Sequence, residues 1–330
     1  MTTHEGVNDE NVTAWMTERI EGLVPPLSFD LVAHGRSNLT YVVTDARGEA
    51  GEKYVLRRPP LGHVLASAHD ITREHRCMDA LWPTDVPVPK MIGLCTDPEV
   101  NGADFYVMSF VEGTIAKNPT ELEKFDSATR RRISESLVDT LAVLHQVDPD
   151  SVGLGDLGKK DDYLARQLRR WMGQVDKGSE RELPELRAVH GLLEATMPTQ
   201  QGAGIVHADF RLDNCMLADD GSIAAVLDWE LCTLGDVLAD LGGLIMYWTE
   251  AEGFLSTGDV IERYSRTSDR DLSDLDYYVA FANWRLACIV EGVRTRFEKG
   301  AMGKDIGAEL EGYGAMMDAW IATAAQLLSR

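Results

Sequence analysis

The stretch from Ile205 to Glu230, IVHADFRLDNCMLADDGSIAAVLDWE, constrains the fold more than any other part of the chain. An apolar lead-in, Gly204 to Val206, runs into a polar loop carrying His207, Asp209, Arg211, Asp213 and Asn214. A short apolar run from Cys215 to Ala218 follows, and then the turn signal Asp219, Asp220, Gly221. A second run, Ile223 to Leu227, ends on Asp228. Two β-prone runs separated by a glycine-closed turn predict a hairpin with acidic or amide side chains at each exit.

The spacing carries chemistry. Asp209 and Asn214 lie five residues apart on one loop, the separation of Asp and Asn in the kinase catalytic-loop pattern H-R-D-x-x-x-x-N. Asp228, fourteen residues after Asn214, sits where a kinase places its second magnesium ligand. In phosphoryl transfer the migrating group spreads charge over its oxygens, so a protein mainly positions groups and neutralises charge. A carboxylate at Asp209 can orient an acceptor hydroxyl and take its proton. Hard oxygen donors, the Asn214 amide and the Asp228 carboxylate, suit Mg²⁺. Singly, each of these residues also reads as an ordinary turn former. The joint pattern, with a strand on either side, points to a kinase-type loop.

Residues 207–214 (HADFRLDN) and 226–230 (VLDWE) resemble the signatures of the aminoglycoside phosphotransferase family, a small-molecule branch of the protein-kinase-like fold. Residues 56–60 (LRRPP) and 228–236 (DWELCTLGD) are similar to its phosphotransferase-like subgroup, which includes the kinase-like domains fused to some acyl-CoA dehydrogenases. The resemblance runs over nearly the whole chain. It implies an α+β, bilobal, protein-kinase-like fold: a small N-terminal lobe with an antiparallel sheet and one key helix, over residues 1–112, and a larger, mainly α-helical lobe over 113–330. It also implies ATP and Mg²⁺ as cofactors and a small-molecule hydroxyl as acceptor.

Bulk properties narrow the partners. With 44% hydrophobic residues, the 330-residue chain can bury a sizeable core. Its net charge of −22 repels phosphate backbones and anionic lipid, so neither a nucleic-acid nor a membrane partner is expected. Cys77, Cys95, Cys215, Cys232 and Cys288 are scattered and show no zinc-type spacing. Reduced thiols in a cytoplasmic protein are expected. The acidic start, MTTHEGVNDENV, does not read as a secretory signal, and no apolar run approaches membrane-span length. The expected assembly is a monomer or a homodimer.

Taken in order, residues 8–23 carry Val12, Trp15, Met16, Ile20 and Leu23 at helical spacing, and Pro25 and Pro26 act as the stop. Leu27 to Ala33, Leu39 to Thr44 and Lys53 to Arg57 are β-like runs. The loop HGRSN at 34–38 resembles the family's nucleotide-covering loop by position, which implies phosphate contacts at Gly35 and Ser37. A plain hairpin connection is the alternative. Arg57 falls where a kinase has its β3 lysine. Its planar fork can hold phosphate oxygens bidentately, and Arg58 points to the other face. Residues 67–82 predict a helix, with Glu74 as the candidate brace for Arg57. An exposed glutamate beside Arg73 and Arg76 is the competing reading.

Met91 to Cys95 and Phe105 to Val111 predict further strands. The second, closed by Glu112 and Gly113, resembles the family's hinge between lobes. That implies adenine contacts to backbone near Ser109 and Val111, with Met108 behind. Helical patterns then cover 125–146, 161–175, 182–196, 272–299 and 303–329. His145 reads as a helix-end or core histidine, and Asp236 and Asp240 as a cap and a structural carboxylate. His207 and Arg211 are expected to support the catalytic loop. Because family substrates commonly sit between late helices and that loop, Arg285, Glu291 and Arg294 are candidate substrate contacts; a solvated helix face is the alternative. The acceptor is either an aminoglycoside-like antibiotic or a metabolite such as a hydroxyacyl compound, and the second suits the basic residues of the late helix. A non-catalytic nucleotide-binding module is the alternative to an enzyme.

Overall fold

The computed structural model describes residues 4–33, 38–61, 70–117, 119–248, 251–298 and 307–330. Along the chain come α1 (Asp9–Thr17), β1 (Ser28–Ala33), β2 (Leu39–Thr44), β3 (Lys53–Arg58), α2 (Ile71–Leu81), β4 (Met91–Cys95), α3 (Pro98–Asn101) and β5 (Phe105–Ser109). Then follow β6 (Thr114–Ile115), α4 (Pro119–Leu122), α5 (Ser127–Gln146), α6 (Tyr163–Gly178), α7 (Pro184–Ala195), β7 (Gly204–Val206), β8 (Cys215–Leu217), β9 (Ile223–Val226) and β10 (Thr233–Gly235). The chain closes with α8 (Leu238–Tyr247), α9 (Thr257–Ser265), α10 (Leu275–Glu298) and α11 (Gly307–Leu328). Two compact units result: Met1–Thr140 with Leu212–Cys232, and Leu141–Arg211 with Thr233–Arg330. The fold is α+β, with an antiparallel sheet in the first unit and a mainly helical second unit.

In the first unit five strands pair antiparallel in the order β1-β2-β3-β5-β4. Alternate residues of a strand face opposite sides. In β2 this buries Leu39, Tyr41 and Val43 in one core with Val12, Trp15 and Met16 of α1. Trp15 meets Phe105 of β5 edge to face, with ring centroids 5.0 Å apart. The helix expected over 8–23 stops at Thr17. Ile20 and Leu23 are buried, but in turns, so their apolar spacing reflects tertiary packing and not a continued helical period. Asn8 and Asp70 cap α1 and α2, their side chains accepting the N–H groups of Asn11 and Arg73. The hairpin predicted from sequence is β8–β9, with Cys215 opposite Val226 and Met216 opposite Ala225. The first part of α5 packs on it: Ser136 Oγ accepts the Ile223 N–H, and Arg132 Nε donates to the Asp220 carbonyl.

The second unit is organised on α10. The Trp284 indole donates to the Leu186 carbonyl at 3.1 Å, and the Tyr277 hydroxyl to the Leu193 carbonyl at 3.0 Å, which ties α7 to α10. Gly242 of α8 lets the helices touch, because a Cβ there would come 2.5 Å from the Tyr278 backbone. The short pair β7–β10 sets Val206 opposite Thr233 immediately before the loop that carries His207 and Asp209. Among the described residues no helix is long and apolar enough to cross a membrane.

Candidate functional site

The first unit holds a chain of charges. Arg57 and Arg58 are consecutive in β3, so their side chains leave opposite faces of the sheet. Arg58 turns to the N-terminal segment and donates to the Gly6 carbonyl. Arg57 turns to α2 and the hairpin. Its Nε lies 3.2 Å from Glu74 Oε2, and its Nη2 donates to Asp228 Oδ1 at 3.0 Å. Glu74 is therefore not an exposed helix residue; it is fully buried. Burial pushes the Glu74 carboxyl upward, while the Arg57 guanidinium pulls it back. The guanidinium keeps its proton in any case. The neighbouring Tyr106 phenol is raised well above its ordinary value by burial and by Glu74. Arg73, one residue before Glu74, donates to the Cys232 carbonyl at 2.7 Å, so α2 is also tied to the segment that follows Asp228.

Asn214 and Asp228 are brought together by strand register. Asn214 ends a 3₁₀ turn, Leu212–Asn214, directly before β8, and Asp228 follows β9 by two residues. The ladder continues past the last strand pair, where the Leu227 N–H donates to the Asn214 carbonyl at 2.8 Å. Asp228 has a left-handed backbone, φ 64°, uncommon outside glycine. Its carboxylate is 30% exposed and has one oxygen committed to Arg57. Asn214 and Asp228 thus bring two residue types with hard oxygen donors to one end of the hairpin. Such a set suits Mg²⁺, which keeps waters and takes substrate phosphates as further ligands.

The second unit holds the loop from His207 to Arg211, whose backbone is anchored at several points. Asp240, buried at the start of α8, accepts the His207 N–H on Oδ2 at 2.6 Å and the Ala208 N–H on Oδ1 at 2.8 Å. Arg285 of α10 donates to the Ala208 carbonyl. Ala208 is thus gripped on both sides while its φ is 69°, a conformation that costs an alanine about 1 kcal/mol. Asp209 follows, half-buried, its N–H donating to His207 Nδ1 at 3.2 Å. The His207 ring is fully buried and meets Phe210 edge-on. Arg211 lays its guanidinium 4.3 Å from the Tyr247 ring centre. Asp236 accepts the Leu238 N–H and the Tyr278 hydroxyl, so it ties α8 to α10.

The remaining expected positions are distributed as follows. Gly35 and Ser37 lie outside the described residues. Met108 pairs with Val55 inside the sheet, and Ser109 ends β5 opposite Tyr54. The Ser109 N–H donates to the Lys90 carbonyl and its hydroxyl accepts the Lys90 N–H, so that amide is not the one a purine would meet. Val111 lies beyond the strand in extended chain. Glu291 is buried, bonded to Ser179 Oγ and, at 2.9 Å, to Arg181; this ties α10 to the chain after α6 and leaves the carboxylate no exposed face. Arg294 pairs with Glu298 one turn on. Arg285 lies at the His207–Arg211 loop, with its guanidinium 5.8 Å from the Trp171 ring centre; Arg170 lies 5.2 Å from the same ring. Trp171 carried no signal in the sequence beyond a core-like aromatic.

Comparison with known proteins matches this geometry to a family. The phosphotransferase enzyme family matches residues 28–276. A solved structure from Ralstonia eutropha JMP134, described as a candidate aminoglycoside phosphotransferase, superposes with a TM-score of 0.84 at 30% identity, covering 97% of this chain and 98% of that one. Acyl-CoA dehydrogenase family member 10 of Mus musculus is 34% identical over 288 residues, covering 82% of this chain and 26% of that protein. Acyl-CoA dehydrogenase family member 11 of Homo sapiens is 32% identical over 281 residues, covering 80% of this chain and 35% of that protein. The chain thus spans about a quarter to a third of the length of these curated relatives.

Proposed function

This chain belongs to the phosphotransferase enzyme family, and we propose that it is an ATP- and Mg²⁺-dependent kinase of a small-molecule hydroxyl, with Asp209 as the base. The observation that carries the reading is the three-charge contact of Arg57 with Glu74 and Asp228, on the hairpin that also presents Asn214. By role the chain divides into a nucleotide-binding part, residues 1–112, and a catalytic and acceptor-binding part, residues 113–330, although the metal-binding hairpin packs with the first unit.

Asn214 and Asp228 would hold Mg²⁺, which would neutralise phosphate charge when bound. Arg57, kept from swinging by two carboxylates, would give its remaining N–H groups to nucleotide phosphates. Gly35 and Ser37 remain proposed phosphate contacts, and the extended chain around Val111 remains the proposed adenine contact. Asp209 accepts the proton of the acceptor hydroxyl, and the clamped Ala208 peptide fixes where that carboxylate points. His207 and Arg211 hold the loop by burial and by the Tyr247 face.

One observation bears on the acceptor. Arg285, Arg170 and the Trp171 ring form a cationic, aromatic surface that touches the loop at Ala208. Such a surface repels a polycationic aminoglycoside and suits a hydroxyl compound bearing an anionic group, such as a hydroxyacyl metabolite. Glu291 and Arg294 are not needed for this reading.

The test is ADP formation from Mg-ATP across aminoglycosides, macrolides, hydroxy acids and hydroxyacyl thioesters. Turnover dependent on an anionic acceptor, and lost on chelation of Mg²⁺, is the expected result. Silence with every acceptor, together with Mg²⁺-dependent stabilisation by nucleotide, would favour a non-catalytic binding module.

A further inference from the structure

The ion pair in the first unit has a third neighbour that the proposed reaction does not use. Tyr106 lies in β5 directly across the ladder from Arg57 of β3, and cross-strand partners leave the same face of a sheet. Its partner on the other side is Leu94 of β4, so the tyrosine stands on an interior strand held from both edges. The side chain is fully buried. Its ring lies 6.2 Å, centre to centre, from that of His75 of α2, the residue after Glu74. Arg57, Tyr106 and Glu74 therefore converge, with the cation and the phenol supplied by the sheet and the carboxylate by the helix.

Burial and the Glu74 carboxylate keep the phenol protonated, so it stays a donor. Arg57 Nε lies 3.2 Å from Glu74 Oε2, while Arg57 Nη2 donates to Asp228. Neither the Arg57 Nε contact nor the Tyr106 contact with Glu74 reaches ordinary hydrogen-bond geometry. Glu74 is thus drawn by both donors without being locked to either. A buried tyrosine hydroxyl usually finds a partner, and the Glu74 carboxylate is the acceptor that this one faces. We propose that Tyr106 is a positioning residue for nucleotide binding, its hydroxyl steering the Glu74 carboxylate and so setting how much of the Arg57 guanidinium is left for phosphate oxygens. The inference rests on Arg57 being a nucleotide contact.

The place of the hydroxyl argues against simple packing. A phenylalanine ring would fill the same space beside His75 and leave no polar atom to bury, and an unpaired buried hydroxyl is costly. Here the hydroxyl is set beside Glu74, the one acidic residue among the buried residues of α2. The sign of its effect follows from the competition. Without the hydroxyl, the carboxylate falls more fully to Arg57 and draws the guanidinium toward α2, away from a phosphate. Nucleotide should then bind more weakly. Transfer itself, assigned to Asp209 in the other unit, should change little.

The test uses the full chain with Tyr106→Phe, Glu74→Gln and the two combined. Phenylalanine keeps the ring and removes the donor alone. We expect Tyr106→Phe to raise KM for ATP about fivefold, and the dissociation constant of Mg-ADP by the same factor, with kcat changed less than about twofold. Mg-ADP binding is read by calorimetry and needs no acceptor. In the Glu74→Gln background the phenylalanine change should add nothing, because the hydroxyl then has no carboxylate to steer; a merely structural phenol would give equal losses in both backgrounds. A ring-fluorinated tyrosine at position 106, a stronger donor of nearly the same size, should lower both constants, and it serves the test even if Tyr106→Phe does not fold. The isotope-labelled carboxyl carbon of Glu74 gives a further readout, since its resonance should move in Tyr106→Phe. Wild-type affinity in the folded variants, additive losses in the double variant, or an unmoved Glu74 resonance would overturn the proposal. If the wild type binds no nucleotide while the Glu74 resonance follows the hydroxyl, the reading of the reaction has failed and the steering of Glu74 stands.

Discussion

The two units hold their candidate residues by different means. In the first unit, side chains hold side chains: Arg57 is fixed by ion pairs with Glu74 and Asp228. In the second, backbone groups are held: Asp240 accepts the His207 and Ala208 N–H groups and Arg285 donates to the Ala208 carbonyl, just before Asp209. The first arrangement suits a half that meets a highly charged ligand, since a network of fixed charges can exchange one partner for a phosphate. The second would, under the proposed reaction, serve a base that is anchored through the peptide groups before it. Both halves use an uncommon left-handed backbone, at Asp228 and at Ala208, where one residue must be turned against its preference.

Substitutions should separate the halves. The largest loss is expected for Asp209→Asn, which should lower kcat by about a thousandfold while nucleotide still stabilises the protein in a thermal-shift assay. Asp240→Ala removes the acceptor for two buried N–H groups. It should cost about 3 kcal/mol in denaturant unfolding and lower kcat as well, because the loop loses its anchor. An Asp240→Ala protein as stable as wild type would break the idea of a backbone-held loop.

Glu74→Gln should act differently. It leaves Arg57 with Asp228 alone, so KM for ATP should rise about tenfold with little change in stability, since a neutral amide is easier to bury than a carboxylate. A fall in kcat with unchanged KM would blur the proposed division of labour.

pH offers a sharper contrast. His145 has a folded pKa below its ordinary 6.5, so its neutral form stabilises the fold above about pH 6.5, and that contribution is lost as pH falls toward the folded value. Glu74 has the opposite sign: its folded pKa is raised above 4.5, so it favours folding as pH falls through the folded value toward 4.5 and opposes folding above it. Tm should therefore decline in wild type as pH falls below about 6.5, and decline less in His145→Gln. Equal slopes would remove His145 as the cause. The smallest effect is expected for Arg294→Ala. It breaks a half-exposed pair one turn apart on α10 and should change stability by less than about 0.5 kcal/mol, with turnover unaltered.

Much of this was legible in the residues because the signals are local. The hairpin β8–β9 follows from two apolar runs and Asp219, Asp220 and Gly221, and Asn214 and Asp228 reach the same end of it simply because strands pair in register. The strand Met91–Cys95 and the long helices α5, α10 and α11 follow from periodicity, with ends shifted by a few residues. The first helix was overextended to residue 23 because Ile20 and Leu23 face the core from turns, and burial imitates a helical period. Glu291 was expected near substrate because a charged side chain on a late helix reads as accessible. Its burial against Ser179 and Arg181 depends on segments about 110 residues away.

The sequence by itself determined which side chains are available: an acid at 209, hard oxygen donors at 214 and 228, and a cation at 57, in the order and spacing that resemble a phosphotransferase. Tertiary structure alone decided how those groups are held. The Arg57–Asp228 contact joins residues 171 apart, and the His145–Tyr264 contact joins residues 119 apart. No local propensity encodes such meetings, because they form only when sheet, helices and loop are packed. The clamp on Ala208 is further hidden because it is made to peptide N–H and C=O groups, which nearly every residue carries. A sequence records the side chains that act, but it leaves no mark on the backbone groups that aim them.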